Sequence, residues 1–191
     1  MISRAHLSTL LLVAAILWAI LLLLDGTSVS LSFFSPFSTV LGVLVIVISI
    51  FDKWLWRLRL LHPWFVPLPN IEGTWTGQLA STWVDARVGA AGVTLDAELV
   101  IRQTFSSIHL RLSTPESNSE LLSGNIVRKP DGTYQVVAVY RNTPRLLRRD
   151  QSPIHYGGVI LDVMGGPPGF LEGEYWTDRG TRGELRFSKK Q

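Results

Sequence analysis

The chain has 191 residues, 47% of them hydrophobic and 17% charged, with a formal net charge of +3 and no cysteine. The absence of cysteine excludes a disulfide framework and any thiol nucleophile. The small net charge excludes a general basic surface for nucleic acid, so any site for an anion has to be local.

The first 66 residues and the remaining 125 or so differ in character, and the second part suits one ordinary domain. Residues 7–24 and 31–51 carry no charge. As helices they would extend roughly 27 Å and 31 Å, enough to cross the hydrocarbon core of a bilayer. Between them, Asp25-Gly26-Thr27-Ser28-Val29-Ser30 is polar and turn-forming, so the pattern predicts a transmembrane helical hairpin. Charge-free runs of this length are rare in soluble core helices. A cleaved signal peptide is disfavoured because no small-residue cleavage pattern follows the first run. Arg4 precedes the first span, Lys53, Arg57 and Arg59 follow the second, and the turn carries only Asp25. The positive-inside rule then places the turn outside and both termini in the cytoplasm, as a multi-pass protein of the cell membrane. Residues 52–65 interleave Trp54, Trp56 and Trp64 with cations. They predict an interfacial continuation of the second helix that ends before Pro63.

Pro67-Leu68-Pro69-Asn70 is a stiff linker. From there to residue 191 the periodicity changes to two, and about eight strands are expected at 71–80, 94–105, 107–114, 120–129, 133–141, 154–164, 169–178 and 182–189. In the second, Leu95, Ala97, Leu99, Ile101, Gln103 and Phe105 form one face; in the third, Ile108, Leu110 and Leu112 do. Pro130-Asp131-Gly132 is a hairpin turn. Consecutive short strands without helices predict an antiparallel meander, and closure into a barrel removes its exposed edges. A flat sandwich is the second choice. Two loops stand out, 84–93 and the basic 142–153 with Arg145, Arg148 and Arg149, which could also face anionic lipid.

The sequence has no glycine-rich phosphate loop, no G-x-S-x-G and no H-E-x-x-H. His6, His62, His109 and His155 are not at metal-ligand spacing, and Glu172 and Glu174 read as a solvated strand face. The expectation is a protein that is not an enzyme, with no catalytic residue, no metal and no cofactor. The hairpin closing the chain has a polar apex, with Thr177, Arg179, Thr181 and Arg182 beside Tyr175. Tyr140, Arg141 and Asn142 end one strand and Tyr156 begins the next. Aromatic faces for bases, with arginine forks and hydroxyls for phosphates, match the requirements of a small nucleotide ligand. For any one of these residues a solvated turn remains the simpler account.

Gly73-Thr74-Trp75 on a first strand resembles the pattern of lipocalin-like (calycin) barrels. The resemblance implies a structural role for Gly73 and Trp75, with the tryptophan closing one end and a basic residue of the last strand lying across it; Arg186 is the candidate. The whole order of parts, two spans, a Trp/Pro-rich linker, Gly73-Thr74-Trp75-Thr76-Gly77, and Tyr175-x-Thr177-x-Arg179-x-Thr181-x-Gly183, is similar to the two-transmembrane β-barrel effectors of bacterial CBASS anti-phage systems. These are CD-NTase-associated membrane effectors, also described as SMODS-associating two-TM β-strand-rich proteins. The resemblance implies that a cyclic nucleotide, typically a cyclic dinucleotide, binds the cytoplasmic barrel as activating ligand. It implies that a functionally coupled CD-NTase makes this messenger with no direct contact required. It further implies that the protein then homo-oligomerises in the inner membrane, disrupts the lipid bilayer and kills the infected cell. The alternative is a membrane-tethered lipocalin-like module that holds a lipid or small apolar ligand.

Overall fold

The computed structural model describes residues 31–62, 64–84 and 91–190, with isolated positions between 12 and 24. The flank with Arg4, most of the first predicted span and the turn with Asp25 lie outside the described residues. So do Pro63 and positions 85–90, the centre of the first long loop. The chain divides into two compact units, residues 1–61 with 104–106, and residues 62–103 with 107–191.

In the first unit a 23-residue helix covers Leu31–Lys53. Among the described residues no helix is long and apolar enough to cross a membrane, the side chains described on this helix being those from Leu41 onward. The helix does not continue through the aromatic segment as expected. It stops at Lys53, and two short 3₁₀ turns follow at Leu55–Arg57 and Arg59–Leu61. In its last turn, the Asp52 carboxylate accepts hydrogen bonds from the Ser106 N–H (2.9 Å) and the Thr104 hydroxyl (3.3 Å). Phe51 and Phe105 meet edge to face at 5.1 Å.

The second unit is a closed antiparallel barrel in which every strand pairs with its neighbours in sequence. Its strands are β1 (Gly73–Val84), β2 (Ala91–Gln103), β3 (Ile108–Ser113), β4 (Ser117–Arg128), β5 (Tyr134–Pro144), β6 (His155–Met164), β7 (Phe170–Thr177) and β8 (Arg182–Lys189). β8 returns to β1 with Gly77 opposite Phe187, which closes the sheet and leaves no edge. The alternation expected for β2 holds: Ala97, Leu99, Ile101 and Gln103 are buried and Asp96, Glu98 and Arg102 exposed. Phe105 falls beyond the strand. β4 begins and β5 ends three residues outside the expected bounds, through the pairs Ser117↔Pro144 and Asn118↔Thr143. These ends read as loop because they are polar, and they are polar because the barrel opens there. At the β4–β5 turn, Gly132 takes φ +87° and Asp131 accepts from the Thr133 N–H and hydroxyl.

One end of the barrel is sealed. Ile71, Trp75, Ile101 and Leu171 have no exposed surface and Phe187 almost none. The linker folds across this end. The Trp75 indole N–H donates to the Ile71 carbonyl (3.0 Å), and the Tyr134 hydroxyl to that of Pro67. Gln103, an amide buried amid aliphatic side chains, accepts from the Ile71 N–H (2.9 Å) and donates to the Pro69 carbonyl (3.0 Å). Gln103→Ala strands both linker groups and is expected to cost about 2–3 kcal/mol of unfolding free energy, measured by denaturant titration.

The basic residue above Trp75 is not Arg186. Lys189 Nζ lies 5.4 Å from the indole centroid, while Arg186 is on the outer face, ion-paired with Glu172 at 2.9 Å. Parity explains the correction. On β8, Leu185 and Phe187 point inward, so Arg186 points out and Lys189 sits opposite Trp75.

Candidate functional site at the open end of the barrel

Strands that alternate in direction bring the end of β1, β3, β5 and β7 and the start of β2, β4, β6 and β8 to one rim. The cavity beneath this rim has a volume of about 140 Å³. Its depth is apolar, with Leu79, Leu95, Leu99, Leu112 and Leu185. Its mouth is polar, lined by Ser81, Thr114, Ser119, Asn142, His155 and Thr177.

Of the residues expected to bind a ligand, Tyr140, Asn142, Tyr175, Thr177, Arg179 and Thr181 line this cavity. Arg141, Tyr156 and Arg182 do not. They lie on the outer face, where Arg141 approaches Glu120 at 4.0 Å and Tyr156 is half exposed. The period of two again decides this, since each is one residue from an inward neighbour. Gly73 and Trp75 belong to the opposite, sealed end.

Arg179 sits on the β7–β8 turn, which Gly180 closes with φ +75°. Its guanidinium donates to the Ser152 hydroxyl (2.7 Å) and the Gln151 carbonyl (3.4 Å) and lies 3.5 Å from His155 Nδ1. It is thus aimed by the β5–β6 loop rather than free to sweep solvent. Thr177 and Thr181 share a hydroxyl contact of 2.6 Å. Glu116 would repel an anion at the mouth, but Arg148 holds it at 2.9 Å and cancels that charge.

The two inward tyrosines stand over glycines. A Cβ on Gly157 would lie 2.5 Å from the Tyr140 ring, and one on Gly183 2.7 Å from that of Tyr175. Each glycine is the direct cross-strand partner of its tyrosine, so the ring lies against bare backbone and leaves the cavity open. Burial pushes both phenols up from 10.0; for Tyr175 a 2.6 Å hydrogen bond to Ser81 works in the opposite direction. A phenol whose folded value is raised holds its proton after the unfolded chain has lost it. The stability it contributes is therefore present below pH 10 and falls as the pH climbs above it. Tyr140→Phe is expected to flatten that alkaline loss, read as Tm against pH from 8.5 to 11.5 (about 1.5 units either side of the ordinary phenol value).

Two buried side-chain oxygens of the mouth, Asn142 Oδ1 and Gln151 Oε1, have no hydrogen-bond partner among the described residues. A buried acceptor without a donor is costly. Both line the cavity, together with the held guanidinium of Arg179. The arrangement thus offers acceptors for N–H or O–H groups, a cation for an anionic group, aromatic walls, and an apolar depth. Ser81, Glu116, Arg148, Gln151, Ser152 and His155 also line the cavity and were not among the residues expected to bind a ligand. The inward parity of His155 was readable; that of the loop residues was not.

A family model described as the Cap15 cyclic dinucleotide receptor domain matches residues 66–189. The protein named CD-NTase-associated protein 15 from Yersinia aleksiciae is 31% identical over 105 residues, covering 54% of this chain and 47% of its own. The protein of the same name from Staphylococcus schleiferi is 24% identical over 139 residues, covering 73% of this chain and 70% of its own. The chain thus spans about half the length of the Yersinia relative that it matches.

Proposed function

This chain belongs to the Cap15 cyclic dinucleotide receptor family, and on that premise we propose that its barrel takes a cyclic dinucleotide at the open rim as an activating ligand in CBASS defence. The observation that carries the reading is the pair of orphaned amide oxygens, Asn142 Oδ1 and Gln151 Oε1, beside the loop-held guanidinium of Arg179. A cyclic dinucleotide supplies the complements, with phosphates for Arg179, base or ribose donors for the amide oxygens, and flat bases for Tyr140 and Tyr175.

The ligand reports to residues 1–66, which serve as a transmembrane hairpin in the inner membrane with both termini in the cytoplasm. The two charge-free runs and the cations that flank them support this. Ligand binding drives self-association if the assembled state binds the messenger better than the single chain does. Gathered spans then breach the bilayer, and the infected cell dies. A CD-NTase supplies the messenger without touching the barrel.

The test uses the full chain in detergent with a panel of cyclic di- and trinucleotides. At a hundredfold excess over Kd, binding to the folded state alone adds about 2.7 kcal/mol, a rise in Tm of several degrees. No shift with any member of the panel sinks the reading. The apolar depth of the cavity favours a second reading, a tethered module for a lipid. That reading predicts a co-purifying lipid in solvent extracts and no displacement of it by nucleotides.

A further inference from the structure

The outer wall of a closed barrel is ordinarily polar, so that each strand alternates. β5 and β6 break this rule. Val136-Val137-Ala138-Val139 and Val159-Ile160-Leu161 are apolar on both parities, as strands are when both faces are covered. The inward set is accounted for by the core. The outward set is not: Val139 is 51% exposed, Val137 38%, and Trp176 on β7 49%. These form one surface. Val139 pairs with Gly158 and Gly158 with Trp176, and beside that row Val137 pairs with Ile160. A Cβ on Gly158 would lie 2.4 Å from the Trp176 ring, so the indole lies flat over that glycine and the patch is smooth.

Charge borders the two rows in a particular way. The first row continues from Trp176 to Arg182 on β8. The second continues from Ile160 to Glu174 and on to Glu184, two carboxylates directly across from each other. Like charges so placed destabilise the sheet, and neither has an ion-pair partner among the described residues. The two rows are therefore complementary to each other. A two-fold axis running across the strands between them would set Val139 against the partner's Val137 and Arg182 against the partner's Glu184.

We infer that the outer face of β5–β8 is a pairing surface for a second copy of this chain, joined face to face by such a two-fold axis. The pairing is a property of the barrel wall and stands whatever the cavity binds.

The natural chain has no cysteine, so a single introduced thiol reports cleanly. In the full-length protein in detergent, with and without cyclic dinucleotide, Val139→Cys is expected to give a dimer with a short bis-maleimide. Arg111→Cys, on the outer face of β3, is expected to give none. In the Val139→Cys background, Arg182→Glu and Glu184→Arg each reduce the dimer about fivefold or more, since like charges then face each other, and the double exchange restores it. Restoration also shows that the single variants fold. The inference is overturned if Val139→Cys couples no better than Arg111→Cys in both conditions, if the single exchanges leave the dimer intact, or if Val139→Cys couples only to another protein.

Discussion

Replacing Arg179 with alanine is expected to weaken cyclic dinucleotide binding about ten- to thirtyfold while leaving the barrel folded. Hydrogen bonds from a charged group contribute about 1.5–3 kcal/mol, and each 1.4 kcal/mol is a factor of ten in affinity. Arg179 is exposed as a residue, so solvent screens it and the lower half of that range applies. Its hydrogen bonds to Ser152 and to the Gln151 carbonyl fix the fork before the ligand arrives, which lowers the ordering cost of binding. Arg179→Lys keeps the charge but loses the fork and should fall between wild type and alanine. Arg186→Ala, on the outer wall with Glu172, should leave affinity unchanged. Calorimetric titration of the three variants decides the matter. Equal affinity for Arg179→Ala and wild type would remove the residue from the site.

The second large effect is at the other end. Trp75 has no exposed surface, and its indole N–H is the hydrogen bond that holds the Ile71 carbonyl. Truncation of a buried tryptophan to alanine costs about 3–5 kcal/mol, which for a domain of this size lowers Tm by roughly 10 °C or more. Lys189→Ala removes only the cation over the ring and should cost about 0.5–1 kcal/mol. Thermal unfolding of the two variants separates the ring's packing from its cation. A Trp75→Ala barrel that melts like wild type would show that the linker, not the indole, seals that end.

Several features were legible from residue order alone, each for a local reason. Eight strands in a meander follow from period-two alternation between turns, because each antiparallel strand needs only its sequence neighbour. The turn at Asp131-Gly132 follows from the backbone freedom of glycine. Trp75 on the first strand and Thr177, Arg179 and Thr181 at a hairpin apex follow from residue order, and alternating strand direction puts the two at opposite ends. The family resemblance was legible for the same reason, since it rests on the order of the parts.

Other features depend on closure and register, which local pattern does not carry. Tyr175 meets Ser81 across 94 positions only because β8 returns to β1. Arg179 finds Ser152 and His155 only because the β5–β6 loop folds over the rim. Arg141, Tyr156 and Arg182 have the right chemistry for a phosphate, yet a single step in parity puts them outside. The same step exchanges Arg186 for Lys189 at Trp75. Sequence thus determined which groups the protein has and at which end of the barrel they lie. The tertiary structure decided which side of the wall each one faces, because a pleated strand turns every second side chain away and only the closed core says which.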